Sequence, residues 1–128
     1  MSLTVPPELL EQAQRGPIED EDFIECVKTS LPYAWSVVAA LVDDLNERGE
    51  VMATNEKAPP DEESRAQLLR LVGSDAMRGA IERHFGVKLA FQNCHRLALF
   101  HPGATTEHAD FVSTRSQILN QSPELVNC

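Results

Sequence analysis

Pro32 decides where the longest regular element of this chain begins. Proline lacks the N–H that a helix interior requires, but the first helical position needs none. Residues 33–48 therefore read as a helix that opens at Pro32 and stops at Gly49, a residue suited to the left-handed backbone beyond a helix end. Within it Trp35, Val38, Ala39, Val42 and Leu45 recur at helical spacing, and Val37, Ala40 and Leu41 widen the stripe. A helix apolar round most of its circumference needs neighbours on several sides. It is the expected spine of the core.

The neighbours are legible too. Pro6 and Pro7 with Glu8 start a short helix that Gly16-Pro17 ends. Pro17 to Ser30 reads as a second helix, its first turn acidic through Glu19, Asp20, Glu21 and Asp22, its apolar face Phe23, Cys26 and Val27. Asp61-Glu62-Glu63 caps a fourth helix with Leu68, Leu69 and Val72 on its face, ended by Gly73. Ser74-Asp75 caps a fifth, in which Met77, Ala80, Ile81, His84 and Phe85 share one side before Gly86. Val87–Phe91 and Arg96–Phe100 are apolar runs too short for helices, and with Gln92–His95 between them they predict a β-hairpin. Thr105 or Thr106 caps a last helix with Phe111, Val112, Arg115, Ile118 and Leu119 on one face, and Ser122-Pro123-Glu124 starts a short final turn. Residues 50–60 carry no period and read as an exposed loop or linker. The sum is an α+β fold over residues 1–128, one predominantly helical domain of five or six helices with one late hairpin. An acidic helical N-terminal part precedes a helix–hairpin–helix C-terminal part.

Charge follows the same division. Residues 1–66 hold 15 acids and 5 bases; residues 67–128 hold 5 acids and 6 bases. The acidic half repels phosphate, and the other half lacks a cluster of Lys and Arg, so nucleic acid is not an expected partner. At 42% hydrophobic and 24% charged residues, disorder is not expected either. No apolar run approaches the ~18 residues of a membrane span. The start, with Glu8 and two prolines and no basic stretch, does not resemble a secretory signal. Three cysteines, Cys26, Cys94 and Cys128, form no CxxC pair, so reduced thiols in the cytoplasm are the expectation.

Motifs for catalysis are missing. There is no phosphate-binding loop, no dinucleotide fingerprint, no nucleophile elbow and no HExxH. His84, Cys94, His95, His101 and His108 fall close together, but without the spacing of a structural zinc site, so neither a metal nor a cofactor is assigned. On that reading His84 is buried, while His101 and His108 are exposed. Cys94 as nucleophile, with His95, His84 or His101 as base and Asn93 and Gln92 to orient or donate, makes a candidate site at the hairpin turn, in which His95 is an awkward base for its immediate neighbour unless the turn is sharp. The broader expectation is a non-catalytic cytosolic interaction or regulatory protein, acting through a protein partner or by self-association as a homodimer. Tyr33 and Trp35 would anchor the contact, because aromatic residues dominate interface energetics. Arg78 and Arg83 would supply a basic face to meet an acidic one. A small biosynthetic enzyme or accessory protein with the Cys94/His95 site is the alternative.

The stretches SLPYAW (30–35), HFGVKLAFQNCHRLALF (84–100) and SQILNQSPEL (116–125) resemble a family of small conserved proteins of actinobacteria, of the Streptomyces type. The resemblance implies a bacterial cytoplasmic setting and a single compact unit. It brings no activity, cofactor or catalytic residue with it.

Overall fold

The computed structural model describes residues 3–120. Among them seven helices and three strands follow in the order α1 (Pro7–Arg15), α2 (Asp20–Ser30), α3 (Pro32–Arg48), β1 (Met52–Thr54), α4 (Glu62–Val72), α5 (Asp75–Phe85), β2 (Lys88–Asn93), β3 (Arg96–Phe100), α6 (Thr105–Phe111) and α7 (Thr114–Leu119). The class is α+β, as the periodicities imply. The turn expected from Ser122-Pro123-Glu124, and Cys128, lie outside the described residues. No described helix is long and apolar enough to cross a membrane.

The spine forms as its sequence dictates. Pro32 occupies the first turn of α3, and Gly49 closes it in left-handed backbone at φ 63°. Its N-terminus has no side-chain cap of its own. Gln67 of α4 supplies one from a distance: its Oε1 accepts the N–H groups of Tyr33 at 2.8 Å and Ala34 at 3.2 Å. These are two of the donors that a helix start leaves unpaired, and Gln67 and Ala34 are both buried. The other caps are local. Asp61 accepts from Ser64 N–H at the start of α4, and Ser74 Oγ from Met77 N–H at the start of α5.

The three strands form an antiparallel sheet in the order β1-β3-β2. The hairpin is the expected one; the third strand lies inside residues 50–60, where sequence shows only a loop. Three residues are too few to display an alternation, and β1 exists through its pairing with β3, Met52 opposite Phe100 and Thr54 opposite Ala98. The sheet separates two cores. On one face Leu89, Leu97 and Leu99 pack with Val38, Leu45, Leu68, Leu71 and Ile81 of the helices. On the other, Ala90, Ala98 and Phe100 meet Ala104 and Phe111.

Several boundaries shift. The second helix starts at Asp20, because Glu19 is extended at φ −67°, ψ 141° and serves as its cap position. The last helix is two. Val112 and Ser113 interrupt it, and Ser113 Oγ accepts Ser116 N–H to start α7 afresh. The break rotates the second segment, so Ser116 is buried while Val112, Ile118 and Leu119 are exposed. α6 follows Ala104 with no side-chain cap, in place of the expected Thr105 or Thr106. In α4, Leu71 is buried and Leu69 exposed.

Replacing Gln67 by Leu leaves two N–H groups without an acceptor at the head of the spine. Chemical denaturation should show a loss of about 1–3 kcal/mol, the cost of unsatisfied buried donors. A change under about 0.5 kcal/mol would mean that water replaces the cap at no cost.

Candidate functional site

The spine is not enclosed on every side. α3 buries Ala34, Val38, Leu41 and Leu45. Its stripe extends past them along Tyr33, Val37 and Ala40 towards the charged Asp44 and Arg48, and no described helix lines the facing side. Instead residues 54–57, leaving β1, stand opposite and close a cleft of about 530 Å³. Val37 is half-buried and Ala40 exposed, so the width of the apolar stripe serves this cleft as well as the core. Its lining combines the apolar Val37, Ala40 and Leu41 with the charged Asp44, Arg48, Glu56 and Lys57. Tyr33 sits at one end. Burial, and then the negative charge of Asp61, push its phenol above its ordinary pKa, so it remains a hydrogen-bond donor at neutral pH.

Asn55 joins the cleft to the hairpin turn. Its side chain donates to the His95 carbonyl at 2.7 Å and accepts Leu97 N–H at 2.9 Å. Thr54 Oγ1 donates to the Leu97 carbonyl at 2.8 Å. The side chains thus continue the β1–β3 ladder after the β1 backbone has left it.

The two edges of the sheet differ. His101 N–H bonds to the Val51 carbonyl at 3.0 Å, and the register places Ala53 opposite Leu99. In an antiparallel pair hydrogen-bonded positions alternate. Ala53 therefore points its N–H and C=O at β3, while Met52 and Thr54 point theirs outward. No described backbone group meets them there. On the far edge, the outward N–H of Leu89 in β2 is occupied by Glu82 Oε2 of α5 at 2.8 Å. The β2 edge thus has one outward donor taken by a side chain, whereas the open β1 edge has no described backbone partner.

The residues singled out from sequence are dispersed. Tyr33 lies in the cleft, but Trp35 faces away from it, 5.4 Å from the Phe85 ring and 6.0 Å from His84. His84 is exposed rather than buried, and its ring stands edge-on to Phe85 at 4.7 Å. Its ring contacts are with Trp35 and Phe85. Asn93 donates its side-chain N–H to the Asn120 carbonyl at 2.8 Å. His101 and His108 are half-buried where full exposure was expected. Arg83 is held by both oxygens of Asp20, at 2.7 and 2.9 Å, and Arg78 by Asp75 and the Val72 carbonyl. The expected basic face is thus neutralised by the chain's own acids. The Arg83 guanidinium keeps the Asp20 carboxyl below its ordinary range.

Cys94 and His95 form the two-residue turn between β2 and β3. Cys94 has φ 51°, and it is the one non-glycine described residue in that region. Its sulfur is disulfide-bonded, where reduced thiols were expected. A bonded sulfur has no thiolate with which to attack. Cys26, by contrast, is a free, buried thiol on the apolar face of α2, with its sulfur 3.5 Å from the Thr4 carbonyl. His95 is buried. Burial, and then the charge of Arg65, hold its pKa below the ordinary value, so it is a neutral ring at pH 7. Among the described residues no group of three His, Cys, Asp or Glu side chains is placed to hold a metal ion.

Sequence reasoning missed Thr54, Asn55 and the α3 flank around Ala40. The surplus width of the α3 stripe was the available signal. A helix whose apolar arc exceeds what one core contact fills has a second surface to account for.

Fold and cleft together define a small α+β domain with a helix-walled groove beside an open sheet edge. The chain belongs to the NucS shadow ORF family, whose model matches residues 1–128. No curated protein and no solved structure matches it.

The buried His95 makes stability depend on pH. Its folded pKa lies below the ordinary 6.5, so below that value the unfolded chain takes up a proton more readily than the folded one. Stability is therefore complete above about pH 6.5 and declines as pH falls beneath it. Urea denaturation should give a lower midpoint near pH 5.5 than near pH 7.5, and His95→Gln should shrink the difference. An undiminished difference in the variant would assign the effect to another group. The Asp20–Arg83 pair acts in a separate window, its contribution fading only as pH falls through the lower, acid range.

Proposed function

We propose that this protein is a non-catalytic interaction protein that holds an extended segment of a protein partner in the cleft between α3 and residues 54–57. The observation that carries the reading is the open outer edge of β1 at Met52 and Thr54, beside a cleft of about 530 Å³. A peptide laid there as an added strand would gain main-chain hydrogen bonds from the edge and side-chain contacts from the helix. Val37 and Ala40 give an apolar floor for one or two small side chains. Asp44, Arg48, Glu56 and Lys57, two of each sign, suit an occupant with polar or mixed-charge flanks. The net charge of −9 and the absence of a basic cluster favour a protein over a nucleic acid as partner. The turn at Cys94 and His95, with its sulfur bonded and its imidazole buried, offers less support for the enzyme alternative.

Peptides selected from a random display library on the wild-type protein supply the test. Thr54→Pro removes an outward N–H and leaves the backbone bonds of Ala53 to β3 in place; Thr54→Val, which loses only the hydroxyl bond to the Leu97 carbonyl, is its control, and Ala40→Arg fills the exposed floor. Thr54→Pro and Ala40→Arg should each weaken the selected peptides about tenfold, equivalent to about 1.4 kcal/mol. N-methylation of alternate peptide amides should weaken them similarly. Peptides that bind Thr54→Pro and Ala40→Arg at wild-type strength would sink the reading. If sedimentation of the protein alone shows a dimer that Thr54→Pro dissociates, the occupant is a second copy rather than another protein.

A further inference from the structure

A second cavity lies away from the cleft, on the α6 side of the sheet. It holds about 80 Å³ and is lined by Lys88, His101, Pro102, Ala104, Thr105 and His108. At roughly 30 Å³ per liquid water, that is room for two or three waters, or for one small oxyanion. Three separate parts of the chain meet there: the first residue of β2, the turn after β3, and α6. Phe100 organises them. Lys88 lies opposite Phe100 in the sheet register, His101 follows it in the chain, and the His108 ring stands edge-on against it at 5.2 Å.

The lining runs against the composition. The chain has 20 acids and 11 bases, yet this cavity gathers an ammonium, two imidazoles and a hydroxyl with no carboxylate among its walls. Six of the other ten basic side chains, Arg15, Arg48, Arg65, Arg70, Arg78 and Arg83, each face an acid of the chain's own. Among the described residues, the side chains of Lys88 and His101 enter no ion pair or hydrogen bond, and neither do the ring nitrogens of His108. A metal cation is disfavoured, because the Lys88 ammonium adds a positive charge where two imidazoles would have to ligate.

We propose that this cavity binds a single phosphate-class oxyanion, held by charge-assisted bonds from Lys88 and by donation from His101, His108 and the Thr105 hydroxyl. The ligand is either free phosphate or the terminal phosphoryl group of a small ester. The site stands apart from the peptide cleft and does not depend on it.

Nuclear magnetic resonance spectra of the whole protein, titrated at constant ionic strength with inorganic phosphate, phenyl phosphate or chloride, test the inference. The signals of His101, Thr105 and His108 should shift saturably with inorganic phosphate and not with chloride. An equal response to phenyl phosphate would identify a mouth that admits phosphoryl esters; a response to inorganic phosphate alone would identify a site for the free ion. Lys88→Gln, at an exposed position, should weaken binding about tenfold with the rest of the spectrum preserved. Lys57→Gln, on the cleft, should leave it unchanged. The inference fails if chloride acts like phosphate, if the shifts do not saturate, or if Lys57→Gln weakens binding as much as Lys88→Gln.

Discussion

The architecture depends on one remote hydrogen-bonding group, the side-chain carbonyl of Gln67. A helix that begins with proline has one fewer N–H to satisfy, but the next two remain. Here the Ala34 N–H is buried and the Tyr33 N–H partly so, where water serves them less cheaply. Gln67 Oε1 takes both, at 2.8 and 3.2 Å. The bond fixes the head of α3 against α4 in both position and rotation. With that rotation set, Ala34, Val38, Leu41 and Leu45 point at the core. Trp35 is delivered to Phe85, and Tyr33 is left to flank the cleft. Apolar packing alone would tolerate some slippage of one helix along another. A shared acceptor with two donors would not.

The sheet is governed by side chains that imitate backbone. Asn55 presents an N–H and a C=O to the residues on either side of Arg96, as a further residue of β1 would. Glu82 does the same for one N–H on the opposite edge. A three-stranded sheet has two edges, and exposed edges invite unwanted pairing. This chain occupies one donor of the β2 edge with a carboxylate from the neighbouring helix and leaves the β1 edge beside a cleft. The sheet also keeps its two faces in separate apolar layers, so the α6 side forms a small core around Phe100 and Phe111. That layer positions Lys88, His101 and His108 without help from the helical side.

Much of this is written in local sequence. Pro32, Gly49 and Gly86 mark helix ends whose backbone only certain residues adopt comfortably, and Ser74 and Asp61 cap through contacts three residues away. The hairpin is equally local. What escapes sequence is whatever a distant partner decides. Gln67 looks like an exposed helical residue until the donors of Tyr33 and Ala34 arrive. β1 looks like loop until β3 stands beside it. The dispersal of the candidate residues has the same origin. Asn93, Cys94 and His95 are neighbours in the chain, but the turn sends them to different partners, and His84 belongs with Trp35. Arg78 and Arg83 were legible as a basic stripe on one helix; the carboxylates that answer them lie before the stripe and on another helix. The cleft was half legible, in an apolar arc on α3 wider than one contact could use.

The bond from Glu82 to Leu89 N–H limits how copies of this molecule could join through their sheets. Growth of an open fibre needs two complementary edges on every subunit, one to give and one to receive. The β2 edge has its Leu89 donor already taken by Glu82, so a strand arriving there finds one bond fewer than the register offers. Two copies meeting through their β1 edges would cover each other's open edge. Association through the β1 edge alone would close at two, and the Glu82 bond makes continued growth at β2 less favourable.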